Sequence, residues 1–377
     1  MDESSAYKEV SPILTDMPRF EGGAESVDTW RPALPPIRIP RLNLALFLLT
    51  LLTTTMAGAD SAGAFVTLSA PLQSLINLGA GLSFSIPLMA ILLAHEMGHY
   101  LTARRHGVEA TLPYFIPAPL PSIFFIGTFG AFIRMKSAPR TRRSMFEIGA
   151  AGPWAGFAVA LLAVILGLKL SKVTPLDTSA GGLNLGNSIL FWGVSRVVLG
   201  VDPNAVNVDL HPMAFAGWVG LFITALNLLP VGQLDGGHVV YSLLGERVHR
   251  TVSRLCWAAT ALMVVVPYAL GYAFWAGWLI WFVLVFFLGL GHPSTIDTHT
   301  PLTGTRRIMA WATIALFIVT FSPVPISFVS PSPSQQQQQE QLDPQSPGIN
   351  VMDRMPQGRP DFDKPDFKLS RALILHA

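Results

Sequence analysis

Leu93-Ala94-His95-Glu96-Met97-Gly98-His99 lies inside the apolar run Ile86–Ala103, and the reading of that run decides the fold. About 20 apolar residues in a helix cross about 30 Å of hydrocarbon, so the run is a membrane-span candidate. Ionisable side chains within such a span cost several kcal/mol when unpaired and are retained chiefly for function. At 100° per residue His95 and His99 stand about 40° apart and Glu96 about 60° from His99, so all three share one helix face. Two neutral imidazoles there can bind zinc, and the carboxylate between them is placed to take a proton from water at the metal.

The rest of the chain agrees with a bilayer as its solvent. Of 377 residues 51% are hydrophobic and only 13% charged, and the mean hydropathy is +0.47; this lies outside the soluble range. Further apolar runs occupy Leu42–Ala59, Ile148–Leu170, Pro212–Pro230, Leu255–Tyr272, Trp275–Leu290 and Ile308–Phe321, giving six or seven expected spans. Ala64–Ala80, broken by Ser, Pro and Gln, and the short Asn187–Val201 with its Arg196 read as interfacial or half-buried. The Trp residues read as interface anchors. Residues 1–41 are polar and then proline-rich, a flexible arm without a secretory or transit signal. Residues 42–325 form the membrane domain, and 326–377, with the run Gln335–Gln339, read as a disordered tail.

Charge and cysteine narrow the chemistry. A net charge of +2 is spread over small clusters, so nucleic acid is excluded as a partner. The clusters Arg31–Arg41, Arg104-Arg105, Arg134–Arg143, Arg247–Arg254 and Arg306-Arg307 alternate with base-poor loops, and the positive-inside rule puts them on the cytoplasmic side. His95 and His99 then sit at the cytoplasmic end of an inward-running helix. The single cysteine, Cys256, excludes a disulfide framework and a thiolate zinc site.

A catalytic zinc site needs a third protein ligand, and Asp235 is the candidate. It stands in Asn227-Leu-Leu-Pro-Val-Gly-Gln-Leu-Asp235-Gly-Gly237-His238, where Pro230 and Gly232 break an inward-running span. Irregular backbone at membrane depth is tolerated only where it lines protein or a water-filled cavity. Taken alone, Asp235 before two glycines also suits a helix-capping role. Asn227, one turn before the break, is placed either to hold substrate or a developing oxyanion, or to bond between helices. Gly152 and Gly156 flank Pro153 at a spacing that favours close helix packing. Glu147 reads as interfacial, and His211, His238, His249 and His292 as loop or interface histidines.

Gly127-Thr128-Phe129-Gly130-Ala131-Phe132-Ile133 is too short to span and alternates small with β-branched or aromatic residues, so it reads as extended. An exposed strand edge there would receive an unwound peptide as an added strand.

With these residues in hand, the sequence resembles the site-2 proteases, whose hallmark is HExxH on one transmembrane helix and LDG on a later one. The likeness covers Gly127–Ile133, Gly149-Ala-Ala-Gly-Pro153 and the Asn227 to Gly237 stretch, and its form is that of the branch shared by bacteria, cyanobacteria and plastids. The resemblance implies His95, His99 and Asp235 as ligands of one zinc ion, Glu96 as general base, and Gly127–Ile133 as a membrane-associated β-element beside the active site. It implies an intramembrane protease acting on membrane proteins with transmembrane helices, in a bacterial inner membrane. No insert of PDZ size separates the motifs. The expected fold is therefore an all-α polytopic membrane bundle with a small β-element. Two rivals stand against it: another HExxH class with a glutamate as third ligand, which no later span here supplies, and a transporter or idle scaffold; the missing internal repeats argue against transport, and the complete set of three ligands and a base argues against idleness.

Overall fold

A proline sets where the first helix begins. In the computed structural model Pro40 holds an extended conformation (ψ 144°) and helix α1 runs from Arg41 to Ser61 directly after it. The structure describes residues 36, 38–64, 71–118, 126–176, 182–272, 274–292, 295, 297, 300–329 and 373–374; most of the expected N-terminal arm and of the expected tail lies outside them. Among the described residues the chain is mainly helical. After α1 come α2 (Pro71–Arg105), α3 (Arg142–Leu170), α4 (Ile189–Leu199), α5 (Pro212–Asn227), α6 (Asp235–Leu244), α7 (Glu246–Leu270), α8 (Gly277–Leu288) and α9 (Gly304–Thr320).

Four of these, α1, α2, α3 and α7, are long and apolar enough to cross a bilayer. Large side chains such as Leu48, Leu52, Leu162, Leu166, Leu262, Ile280 and Phe287 remain exposed on helix faces. In water that surface would be unfavourable; in lipid it is the solvated face. The chain is an integral membrane protein on these grounds.

Three expectations change here. Helix α2 is continuous over 35 residues, so the part of Ala64–Ala80 from Pro71 onward is the N-terminal end of the helix that bears His95. At 1.5 Å per residue that helix is about 52 Å long. Its inner Pro87 removes only one hydrogen bond, which does not end the helix. The span expected over Pro212–Pro230 stops at Asn227, about 24 Å long. It tolerates this length because protein surrounds it: Ala214, Phe215, Val219 and Leu221 are buried. Two of the tryptophans also depart from the interface reading. Trp278 and Trp218 are buried, and their indole N–H groups donate to Pro323 O at 2.6 Å and Gly186 O at 3.1 Å. An interior indole must find such a partner.

The small β-structure is richer than one element. Strands β1 (Tyr114–Pro117) and β2 (Thr128–Phe132) form an antiparallel hairpin. Strand β3 (Lys172–Pro175) pairs with β5 (Val206–Asp209). Strand β4 (Gly182–Leu185) pairs with β6 (Ile326–Val329) and with β7 (Leu373–Ile374). Residues 326–329 and 373–374 are thus strands, where the reading of 326–377 expected disorder.

The core that positions the site is the packing of α2, α3 and α5. A hydrophobic cluster joins Phe84, Leu88, Ile91 and Leu92 of α2 to Ala160 and Val164 of α3 and Phe215, Trp218 and Val219 of α5. Thr141 caps α3 reciprocally with Ser144, fixing where that helix starts.

Candidate metal centre

Helix α2 puts His95 and His99 one turn apart, and their rings meet edge to face with centroids 4.8 Å apart. Their Nε2 atoms stand 3.1 Å from each other. Asp235, the first residue of α6, brings Oδ2 to 3.3 Å from each Nε2. Ligands at roughly 2.05 Å in a tetrahedral zinc shell are separated by roughly 3.3 Å, so this triangle has the edges of one tetrahedral face. These residues form the candidate metal-binding group among the described residues. His99 Nδ1 lies 2.8 Å from Ile148 O and can only donate there, which leaves Nε2 with its lone pair for a metal. The donor set of two imidazoles and one carboxylate fits zinc, with a fourth position open.

Sequence reasoning gave Gly152 and Gly156 to helix packing, and their role is narrower than that. A Cβ on Gly152 would stand 2.0 Å from His99 Nε2, and one on Gly156 would stand 3.0 Å from His95 Cβ. Helix α3 therefore leaves room for the two histidines by lacking side chains opposite them. The same economy seats Asp235. Gly232 has φ +51°, which an L side chain rarely adopts, and this bend carries the chain from α5 back into α6. A Cβ on Gly236 would come 2.0 Å from Leu228 O. Arg142 closes the other end of α6, donating from Nε to Ser242 O at 3.0 Å and from Nη2 to Tyr241 O at 3.3 Å.

Glu96 is buried and lines a cavity of about 520 Å3 together with His95, His99, Asp235 and Asn227. The Asn227 amide nitrogen lies 3.2 Å from His95 Nε2. The opposite wall is the β-element: Ala131, Phe132 and Ile133 line it, as do the residues onward to Pro139. Glu96 faces the backbone amide of Ile133. Between Phe115↔Ala131 and Pro117↔Thr128 the register slips, and Gly130 there has φ +97°, a bulge in β2. Thr111 N donates to Arg134 O and Arg134 N to Thr111 Oγ1, both toward β1. By alternation Ala131 and Ile133 turn their backbone groups away from β1 toward the cavity. Phe129 is 55% exposed, while Gly127 packs against the backbone of Thr53 and Thr54 in α1.

Two clusters escaped the sequence reading. Glu147 joins His106 at 2.7 Å, Arg143 at 3.2 Å and Arg306 at 2.5 Å, tying α2, α3 and α9 beside Ile148. His238 Nδ1 lies 2.6 Å from His292 Nε2, and His292 stacks on Tyr241 at 4.1 Å. His238 also lines the cavity. Its place three residues after Asp235, on the same helical face, was the available signal. Nothing local announced its pairing with His292. His249 contacts Gly232 O at 3.0 Å, and His211 caps α5.

Fold and site together define an integral membrane protein with a candidate HExxH-plus-aspartate metal centre set among its helices. Residues 83–270, half of the chain, match Peptidase family M50, and the chain belongs to that family. It is 30% identical over 287 residues to the probable zinc metalloprotease EGY2, chloroplastic, of Arabidopsis thaliana, covering 76% of this chain and 48% of the relative. To the probable zinc metalloprotease EGY1, chloroplastic, of the same plant it is 37% identical over 193 residues, covering 49% and 34%. The chain thus spans about half the length of these curated relatives, or less. No solved structure matches it.

Proposed function

We propose that this chain is a zinc metalloendopeptidase that hydrolyses peptide bonds within or near transmembrane segments of other membrane proteins. The observation that carries the reading is the 3.1–3.3 Å triangle of His95, His99 and Asp235 donor atoms in one cavity with the buried Glu96. Family membership and the names of the zinc metalloprotease relatives support it.

In this reading His95, His99 and Asp235 hold one zinc ion, which when bound supplies the Lewis acidity for attack of water on a peptide carbonyl. Glu96 takes the proton of the attacking water and passes it to the leaving amine. The Asn227 amide donates a hydrogen bond to the developing oxyanion. The cavity-facing edge of β2, from Thr128 to Ile133, pairs with the unwound substrate and replaces helical hydrogen bonds it has lost. Gly127 seats the start of this strand on α1. The basic segments at Arg104-Arg105 and Arg134–Arg143 support a site toward the cytoplasmic side of the membrane.

Glu96→Gln tests the reading. The variant keeps its zinc and loses proteolysis by several orders of magnitude, since an amide cannot accept the proton. Full cleavage of a membrane-helix substrate by this variant overturns it.

A further inference from the structure

The β1–β2 hairpin continues past its named strands. Thr111 and Arg134 bond to each other, Ala110 and Met135 form a bridge, and Lys136 N donates to Glu109 O at 2.7 Å. The extended chain from Ala131 to Lys136 thus stays beside the same neighbouring segment, with a one-residue shift in pairing between Phe132 and Arg134, and it forms a wall of the cavity throughout. Side chains alternate along it. Ala131, Ile133 and Met135 are half-buried, with Met135 packed beside Ala103, Val108 and Ile148. Phe132, Arg134 and Lys136 are exposed. The exposed face thus reads aromatic, cationic, cationic, moving away from Glu96.

Neither cation makes an ion pair among the described residues. Arg134 stands across from Thr111, and Lys136 across from Glu109, which is half-buried and not within ion-pair distance of it. Interfacial basic residues on the cytoplasmic side ordinarily meet phospholipid, yet these two line the same cavity as the metal ligands.

Resting on the protease reading above, we propose that Arg134 and Lys136 select substrates with acidic side chains at alternate positions on the aqueous side of the scissile bond. A peptide added to the free edge of β2 places its own alternate side chains beside those of its neighbour strand. With the reacting carbonyl near Ile133, an apolar substrate residue lies beside Phe132 and acidic ones beside Arg134 and Lys136. Most cytoplasmic flanks of membrane helices are basic, so this pair would turn them away and admit a minority.

The experiment is a charge swap in zwitterionic vesicles, using the full chain loaded with zinc. Substrates are one transmembrane helix followed by a flank with Asp, Asn or Lys at two alternate positions. The wild-type protein cleaves the Asp form with roughly a tenfold lower KM than the Lys form. Arg134→Glu/Lys136→Glu inverts that order, and Arg134→Gln/Lys136→Gln abolishes it, with zinc content unchanged in both. Cleavage indifferent to flank charge in all three proteins overturns the proposal while leaving the protease reading intact. So does a charge effect that arises only when anionic lipid is added, which would assign the cations to headgroups. Absence of cleavage of every substrate by the zinc-loaded wild type instead overturns the protease reading.

Discussion

At the residue scale the centre is shaped as much by missing side chains as by present ones. Gly152 is the clearest case, because its Cβ would fall 2.0 Å from the His99 atom that faces the metal position. Alanine is intrinsically better than glycine within a helix by roughly 0.5–1 kcal/mol. Gly152→Ala should nevertheless lower zinc occupancy and activity, while Gly193→Ala, at a helical site with nothing within 4 Å, leaves both unchanged. Metal analysis of the two purified variants checks this; equal zinc in both would show that His99 has room to move. Asp235→Ala should also lower zinc affinity, because two imidazoles alone make a loosely shaped site. Zinc titration of that variant reads the effect directly. The candidate ligands, which the structure brings together, were legible because HExxH and the Pro-Gly break before Asp235 are local patterns. The Ile148 carbonyl that orients His99 was not, since a backbone acceptor 49 residues away has no side-chain signature.

At the element scale the decisive unit is the hairpin with one paired and one open edge. Its extended character followed from the short alternation in Gly127–Ile133, but its bulge did not, because the register slip appears only once β1 is in place. If the open edge binds substrate, removing one outward N–H matters more than changing a side chain. Ala131→Pro deletes that donor, whereas Ala131→Ser retains it. Cleavage should fall several-fold more for proline than for serine, and zinc should be unchanged in both. A substrate loosened by glycine in its own helix loses less to Ala131→Pro, having fewer helical bonds to replace. Equal losses for the two variants would assign the strand to packing alone. The N-terminal end of α2 shows the opposite limit of pattern reading. Polar interruptions between Pro71 and Ala80 lowered its apparent apolarity, yet helix continuity is set by backbone bonding along the whole of Pro71–Arg105. Strands β3 to β7 were invisible for a related reason: their partners lie far apart in sequence.

At the scale of the whole molecule the distribution of Lys and Arg bears on orientation, which labelling measures. The helix carrying His95 ends in Arg104 and Arg105, the α2–α3 connection holds Arg134, Lys136 and Arg140, and α3 opens with Arg142 and Arg143. Between α3 and α5 the chain holds only Lys172 and Arg196. The bias of Lys and Arg toward one side sets the orientation of helices during insertion. Glu147 strengthens the argument by binding His106, Arg143 and Arg306, which brings the ends of α2, α3 and α9 together at one level. Those three basic ends therefore face the same side. With Cys256 replaced, a cysteine at the exposed Thr305 should react with a membrane-impermeant reagent only from the cytoplasmic side. One at the exposed Lys172 should react only from the opposite side. Glu147→Gln should leave this pattern unchanged, because it weakens the clasp without altering the basic count, and its cost would register as a lower Tm. The two labels reacting from the same side would contradict the membrane crossing by α3. A fully reversed pattern would put the metal centre near the outer surface, where the flank selected by Arg134 and Lys136 would be the outer one.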